Sequence, residues 1–414
     1  MIRILASKRI GSLLARRAAR LSEAEAVVRP IIEGVRKRGD KALVGYARKL
    51  DGLKRKSVRV PERELASACG KLSPDFRAAV ETASSNIRAF AEMQMPAEQS
   101  REITPGVRVG QIVRPLDSVA AYIPAGRYPL PSTLMMTVTP ARVAGVRRIS
   151  VACPRPVLEI YGTARLLEIS DVFQMGGAQA IAAFAFGTRT VPKADRIVGP
   201  GNIYVAAAKK LLAGEVGIDF VAGPTEILII AADGDPVLLA ADMLAQAEHD
   251  VDASAVLLTT SKNLALAVAR EVERQLKTLP TAETARQSIR RNGAIVIVGS
   301  LDEALEIANR FAPEHLSIPE ESLVEKVESA GSVFIGPFSP EAAGDYASGP
   351  NHVLPTSGAA RLRGGLSVMD YLKIISVQQL DREALVRLAP AITTLARAEG
   401  LEAHARSVEA RTRG

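Results

Sequence analysis

From Ser118 onward the sequence alternates short apolar runs with longer amphipathic stretches, and this alternation restricts the fold more than any other feature. The first runs are Ser118–Tyr122, Arg148–Ala152, Asp171–Gln174 and Arg196–Val198, and apolar spacing predicts helices at Leu134–Val146, Leu158–Leu167, Ala178–Phe186 and Ile203–Leu212. A second series has strands at Glu226–Ala231, Ala255–Thr259, Ala294–Val298, Leu316–Ile318 and Ser332–Ile335. Its helices fall at Pro236–Ala247, Asn263–Leu279, Leu301–Phe311 and Ser322–Ala330. Strand–helix alternation of this kind predicts parallel sheets with crossover helices. The expected fold class is α/β, with two tandem Rossmann-like modules rather than a short-period solenoid. The first hundred residues read as helical, and roughly the last 35 as a helical tail, near helix-pair size, with a break at Pro390. Residues 338–358 read as a polar loop without its own structure, a length usually functional or disordered.

Composition fits this class. Hydrophobic residues make up 47% and aromatics only 4%, with no Trp, so the core is aliphatic, as in proteins built on parallel sheets. Charged residues at 24% argue against a disordered chain. The net charge of +8 is spread along the sequence, with modest clusters at Lys8–Arg20 and Arg36–Arg59. No zinc-finger spacing or RNA-binding aromatic signature accompanies them, so no nucleic-acid partner is expected, and attraction of anionic cofactors or substrates explains the charge equally well. Two cysteines cannot form a disulfide framework, and Cys153 closes an apolar run as a buried strand residue would. The N-terminus reads as an amphipathic helix over Ile10–Ala26, without the apolar core of a secretion signal. No run approaches the ~18 apolar residues of a membrane span. The expected compartment is the cytoplasm, with no membrane partner.

The residues that carry chemistry are few. Gly199-Pro200-Gly201-Asn202-Ile203-Tyr204 lacks the third glycine of a dinucleotide fingerprint, but it offers a strand end, a glycine turn and a helix start where backbone N–H groups can meet phosphate. A plain βα turn is the alternative. Gln246 and His249 share a helix face at i,i+3 and either converge on a metal or, for His249, cap the helix C-terminus. Glu314-His315 follows the helix stop at Pro313, and an imidazole beside a carboxylate suits proton removal near neutral pH. Asp345 lies between Gly344 and Gly349, either approaching a metal or bonding its own turn. Glu399 and His404 are five apart, off one helix face unless Gly400 bends the chain.

Taken in order, the segments Tyr122-Ile123-Pro124-Ala125-Gly126, Pro131–Met136, Gly176–Ile181, Gly199–Asn202, Ala222–Glu226, Gln246–His249, Pro313–Leu316, Gly344–Gly349, Asn351–Pro355 and Leu401–His404 resemble the histidinol dehydrogenase family from about Asp117 to His404. The resemblance implies one Zn2+ per subunit bound by Gln246, His249, Asp345 and His404, and NAD contacted by Tyr122, Gln179 and Asn202. It implies Glu314 and His315 as the catalytic pair. His315 would take the hydroxyl proton, and Glu314 would activate the water that hydrates the aldehyde. The implied substrate is L-histidinol, contacted by Thr225 and Glu399 together with Gln246, His249, His315, Asp345 and His404. The implied reaction is the four-electron oxidation to L-histidine that ends histidine biosynthesis, in a homodimer whose sites draw on both chains. His352 is left as structural.

The matching division of the chain is a helical arm at 1–20, an α/β domain from 21–121 and 227–366 with the catalytic pair and most zinc ligands, an NAD-contacting α/β domain at 122–226, and a helical tail at 367–414. Two departures stand out: Ala125 replaces the first of two usual glycines, and Thr225 replaces a commoner serine while keeping the hydroxyl. Two other functions fit parts of the pattern: a related zinc/NAD dehydrogenase of another small alcohol or sulfonated diol, and a zinc hydrolase that never uses NAD.

Overall fold

The computed structural model describes residues 2–7, 21–125, 128–221 and 223–413. Its strands, in chain order, are β1 (Arg3–Ala6), β2 (Gln99–Thr104), β3 (Val107–Pro115), β4 (Ser118–Tyr122), β5 (Arg148–Ala152), β6 (Val172–Phe173) and β7 (Arg196–Val198). They continue as β8 (Gly217–Ile218), β9 (Glu226–Ala231), β10 (Ser254–Thr259), β11 (Ala294–Ile297), β12 (His315–Ile318), β13 (Ser332–Ile335) and β14 (Leu372–Leu380). The chain separates into two compact units, Met1–Gln94 with Asp117–Tyr371, and Met95–Leu116 with Leu372–Gly414.

The first unit contains two parallel sheets. One has the order β6-β5-β4-β7-β8, the other β1-β11-β10-β9-β12-β13. In the six-stranded sheet β9 reads Glu-Ile-Leu-Ile-Ile-Ala and is buried throughout. The strand period of two sends Ile227, Ile229 and Ala231 into one core and Leu228 and Ile230 into another, so helices cover both faces. Each such aliphatic side chain contributes about 1.5–3 kcal/mol on full burial.

The five-stranded sheet packs against the alanine-rich helix Gly177–Phe186, which is buried nearly all round. Its small side chains admit close neighbours, and Phe184 meets Phe173 edge to face at 6.0 Å. Helices Leu21–Arg38 and Asp40–Asp51 add Val28, Ile32, Val35, Leu43 and Ala47 to this same core. The sequence division groups 21–121 with 227–366; the packing instead joins these two helices to the sheet that begins at Ser118.

Other differences have local causes. An arm expected to be helical places Arg3–Ala6 as an edge strand parallel to β11, where the short sequence carries no turn signal to announce it. Residues 8–20, and with them most of that arm and most of the Ile10–Ala26 helix, lie outside the described residues. Ser322–Ala330 forms only a short 3₁₀ turn, Glu321–Lys326. A helix at Ala282–Asn292 was not anticipated. The supposed loop at 338–358 contains the helix Glu341–Tyr346. Among the described residues, no helix is long and apolar enough to cross a membrane.

The second unit is an antiparallel sheet of order β14-β3-β2 followed by helices Arg382–Ala398 and Glu402–Thr412. The tail is therefore not all helical. Pro390 sits inside a continuous helix, and the break falls at Gly400, whose φ of 77° suits a residue without a Cβ. Ile374, Ile375, Val377, Leu388, Leu395 and Leu401 remain exposed.

Candidate active site

The six-stranded sheet gathers its polar groups at the N-terminal ends of β9 and β12. Glu314 precedes β12 and is buried; its Oε2 accepts from the Thr225 hydroxyl at 2.5 Å and from the Glu226 backbone N–H at 2.9 Å. Burial raises its pKa above the carboxylate range, with His315 and these donors opposing the shift. His315 opens β12 and is 3% exposed. Its Nδ1 lies 3.3 Å from the Glu226 carbonyl, 3.7 Å from Glu314 and 3.8 Å from Glu341, while its Nε2 is buried, without a hydrogen-bond partner among the described residues, 3.6 Å from Asp345. Burial works against the imidazolium, but Glu341, Glu314 and Asp345 more than offset it and push its pKa up to about 10.

Three candidate ligands meet beside this pair. His249 ends the helix Pro236–His249, Gln246 lies one turn earlier, and Asp345 comes from the helix Glu341–Tyr346. His249 Nε2 is 3.7 Å from Asp345 Oδ2. Burial lowers the His249 pKa, but Asp345 outweighs it, so the imidazole titrates above its ordinary value. Burial opposes the Asp345 carboxylate too, yet His249 and His315 hold it well below the usual range. Ligand atoms of His249, Glu341 and Asp345 all lie within 4.8 Å of one another.

The Gln246 amide reports on the same spot. With Nε2 toward Thr225 Oγ1 at 2.6 Å, its oxygen faces the Glu341 carboxylate; turned over, its nitrogen donates to Glu341 Oε2 at 3.0 Å. A divalent cation among these groups would favour the first orientation, because the amide oxygen would then be free to serve as a ligand. Imidazole nitrogen, amide oxygen and carboxylate form a donor set that suits zinc, so the residues fit the metal.

The five-stranded sheet contributes a different set, at the C-terminal ends of its strands. Tyr122 ends β4, Gly176–Gln179 follow β6, and Gly199–Asn202 follow β7. Tyr122, Gln179 and Asn202 line one cleft of 1540 Å³ that also reaches Ala125, Thr225 and Glu226. Gly199 has φ 108°, and a Cβ there would strike the Tyr122 carbonyl. Its N–H donates to Asp219 Oδ2 at 2.8 Å, and Lys209 donates to both its carbonyl and Asp219. The Gly199–Tyr204 turn does not leave all its amides for phosphate, however: the Asn202 side chain accepts from the Tyr204 and Val205 N–H groups as an N-cap. The start of Gly177–Phe186 also lines the cleft; its N-cap is a glycine, and the Asp51 carboxylate and Tyr122 hydroxyl accept from the Gly176 and Gly177 N–H groups. Residues 126, 127 and 222 lie outside the described residues.

Glu399 and His404 belong to the second unit. Glu399 ends one helix, His404 lies in the next, and both are exposed. His352 is half-buried; its Nδ1 meets the Asp345 carbonyl at 2.7 Å and its Nε2 meets Thr133 Oγ1 at 3.1 Å, so it braces the Asp345 helix. Cys153 is buried, and burial pushes its thiol up to about 12, which leaves it inert as a nucleophile.

Sequence reasoning missed Glu341, buried among the ligand candidates, where burial lifts its pKa to about 8. Glu341 and Asp345 are four apart on one helix face, a spacing hidden by reading 338–358 as loop. It missed Asp51 as well, whose carboxylate reaches the turn before Gln179.

Comparison with known proteins gives the family. The histidinol dehydrogenase family model matches residues 14–412. A histidinol dehydrogenase of Thermus thermophilus is 48% identical, with 99% of this chain and 100% of that protein covered. One from Methanothermobacter thermautotrophicus is 46% identical over 98% of this chain and 97% of that protein. The crystal structure of histidinol dehydrogenase from Elizabethkingia anophelis matches with a TM-score of 0.95 at 36% identity, covering 99% of this chain and 98% of that one. The chain belongs to the histidinol dehydrogenase family, NAD-dependent oxidoreductases of histidine biosynthesis.

Proposed function

We propose that this chain oxidises L-histidinol to L-histidine through L-histidinal, using two NAD per turnover, at the Glu314–His315 pair. The observation that carries the reading is this buried acid–imidazole pair, set beside Gln246, His249 and Asp345 and bonded to Thr225 and Glu226, which also line the dinucleotide-sized cleft. Zinc would hold and polarise the substrate's nitrogen and oxygen groups and withdraw the carboxylate charge that now stabilises the His315 imidazolium, while NAD would accept hydride in each oxidation.

The chain's own groups supply the proton transfers. His315 Nδ1 faces the Glu226 carbonyl, which favours the tautomer with Nε2 as the free base. Nε2 then takes the substrate hydroxyl proton in the first oxidation. In the second, Glu314 takes a proton from the water that adds to the aldehyde, its oxygen held in place by Thr225 and Glu226. The five-stranded sheet acts as a Rossmann-like NAD module and the six-stranded sheet as the catalytic module. Tyr122, Gln179 and Asn202 contact the cofactor. The enzyme works in the cytoplasm.

A complete zinc shell and substrate pocket further call on His404 and Glu399, which we assign to the partner subunit of a homodimer. The exposed apolar residues of β14 and the C-terminal helices support an interface there.

The test of the reaction is stoichiometry: two NADH per L-histidinol, with histidine as product. Histidinal released after one NADH would overturn the four-electron mechanism. The test of sharing mixes inactive His249→Ala and His404→Ala proteins under conditions of subunit exchange. Half the random dimers are then mixed, each with one intact site, so roughly a quarter of wild-type activity returns by symmetry. No recovery would mean that each chain completes its own site.

A further inference from the structure

Asp51 is an ionisable group in the cleft that the proton transfers do not use. It is the last residue of the helix Asp40–Asp51 and 6% exposed. Burial and the C-terminal end of its own helix disfavour its charge, and the Gln179 amide, the Gly176 N–H and nearby Arg155 oppose that cost. Its contacts are specific. Oδ2 accepts from the Gly176 backbone N–H at 2.9 Å and from Gln179 Nε2 at 2.9 Å. The intervening Gly177 has φ 56° and donates its N–H to the Tyr122 hydroxyl at 3.1 Å. The turn after β6 is thus tied down at both glycines and at the Gln179 side chain.

The other end of the Gln179 amide is different. Oε1 is buried and has no partner among the described residues, although Gln179 lines the cleft. An amide whose nitrogen is bonded to a carboxylate has one orientation, since rotation by half a turn would set oxygen against oxygen. Asp51 therefore decides which end of the amide is offered to a ligand. What it offers is an acceptor whose hydrogen-bonding capacity is unused.

We propose that Asp51 is a positioning residue of the cofactor site, locking the Gln179 amide so that its carbonyl oxygen accepts from a hydroxyl or carboxamide N–H of the bound dinucleotide. The inference rests on reading this cleft as the NAD site. It assigns Asp51 no contact with the reacting atoms.

The experiment is a double-mutant cycle on NADH affinity, measured by fluorescence titration of the zinc-loaded full-length protein. Gln179→Ala is expected to weaken NADH binding about tenfold, as for loss of one buried hydrogen bond. Asp51→Leu, which keeps the size but has no acceptor, is expected to weaken it by a similar factor, and the double variant to be no weaker than Gln179→Ala alone. L-Histidinol affinity and zinc content should not move in any of the three. Asp51→Ser, which keeps an acceptor on a shorter side chain, is the second variant and should give the same loss. Additive effects in the cycle would show that Asp51 acts independently of Gln179 and would overturn the proposal. Unchanged affinity in Asp51→Leu with a loss in Gln179→Ala would overturn it while leaving the cofactor site in place. Unchanged affinity in Gln179→Ala would overturn both. Equal losses of NADH and histidinol affinity in both Asp51 variants would make Asp51 a fold residue and also refute the proposal.

Discussion

The two parallel sheets of the first unit present opposite edges to the chemistry. The five-stranded sheet offers the carboxyl ends of β4, β6 and β7, the usual place for ligands in open α/β sheets. The six-stranded sheet offers the amino ends of β9 and β12 instead. The residues differ as much as the polarity. Tyr122, Gln179, Asn202 and the glycine turns are neutral and make shape and amide hydrogen bonds, whereas Glu314, His315, Glu341 and Asp345 are titratable, buried and within reach of one another. The strand polarity explains part of this. At an amino end the first backbone N–H points outward, and that of Glu226 holds the Glu314 carboxylate at 2.9 Å. Damage to the catalytic edge should therefore appear in turnover, and damage to the cofactor edge in NAD affinity.

Metal removal should have the largest effect and fall wholly on the catalytic edge. Chelation is expected to abolish turnover while circular dichroism and NADH binding persist, because both sheets are built on aliphatic cores independent of an ion. Full activity in metal-free protein would break the ligand assignment. The pH dependence has a definite sign. The His249 pKa is raised, so protons compete with zinc as pH falls through that value, and zinc affinity should weaken by about tenfold per pH unit for each proton displaced. Competition with a chromogenic chelator between pH 5 and 8, near the ordinary histidine pKa, reads this directly.

Next comes His315→Asn, which removes the base and keeps a polar side chain. A roughly 10²–10⁴-fold fall in kcat is expected, with little change in NADH affinity. A variant that weakened NADH binding instead would erase the distinction between the edges.

How far the sequence carried this comparison depends on the scale of the interaction. The strand–helix alternation was readable because apolar period and turn residues are local, and β4, β5, β7, β9 and β13 lie where that pattern puts them. Gln246 and His249 were readable for the same reason, sharing one helix face. The packing of Val28 and Leu43 against the sheet at 118–218 was not, because it depends on which distant face an amphipathic helix selects. β2, β3 and β14 were missed because an antiparallel sheet assembled from 99–115 and 372–380 leaves no local trace of its pairing. The roles of Glu314 and His315 came from the family resemblance, since an isolated Glu-His pair is common by chance. Glu341 was hidden by the assumption that glycine-rich sequence is loop.

The smallest expected effect is on the cofactor edge, at Asn202, where two roles overlap. Its Oδ1 accepts from the Tyr204 and Val205 N–H groups, capping the helix Ile203–Leu212, and its side chain also lines the cleft. Loss of an N-cap costs about 1 kcal/mol, so Asn202→Ala should lower stability by that order as well as weaken NADH binding. Asn202→Ser separates the two, because serine caps a helix about as well as asparagine but brings no amide into the cleft. The expected result is near-wild-type stability in urea unfolding with NADH affinity as weak as in Asn202→Ala. If serine restored affinity together with stability, Asn202 would serve the cofactor only by fixing the helix start. The direct contacts of this edge would then reduce to Tyr122 and Gln179.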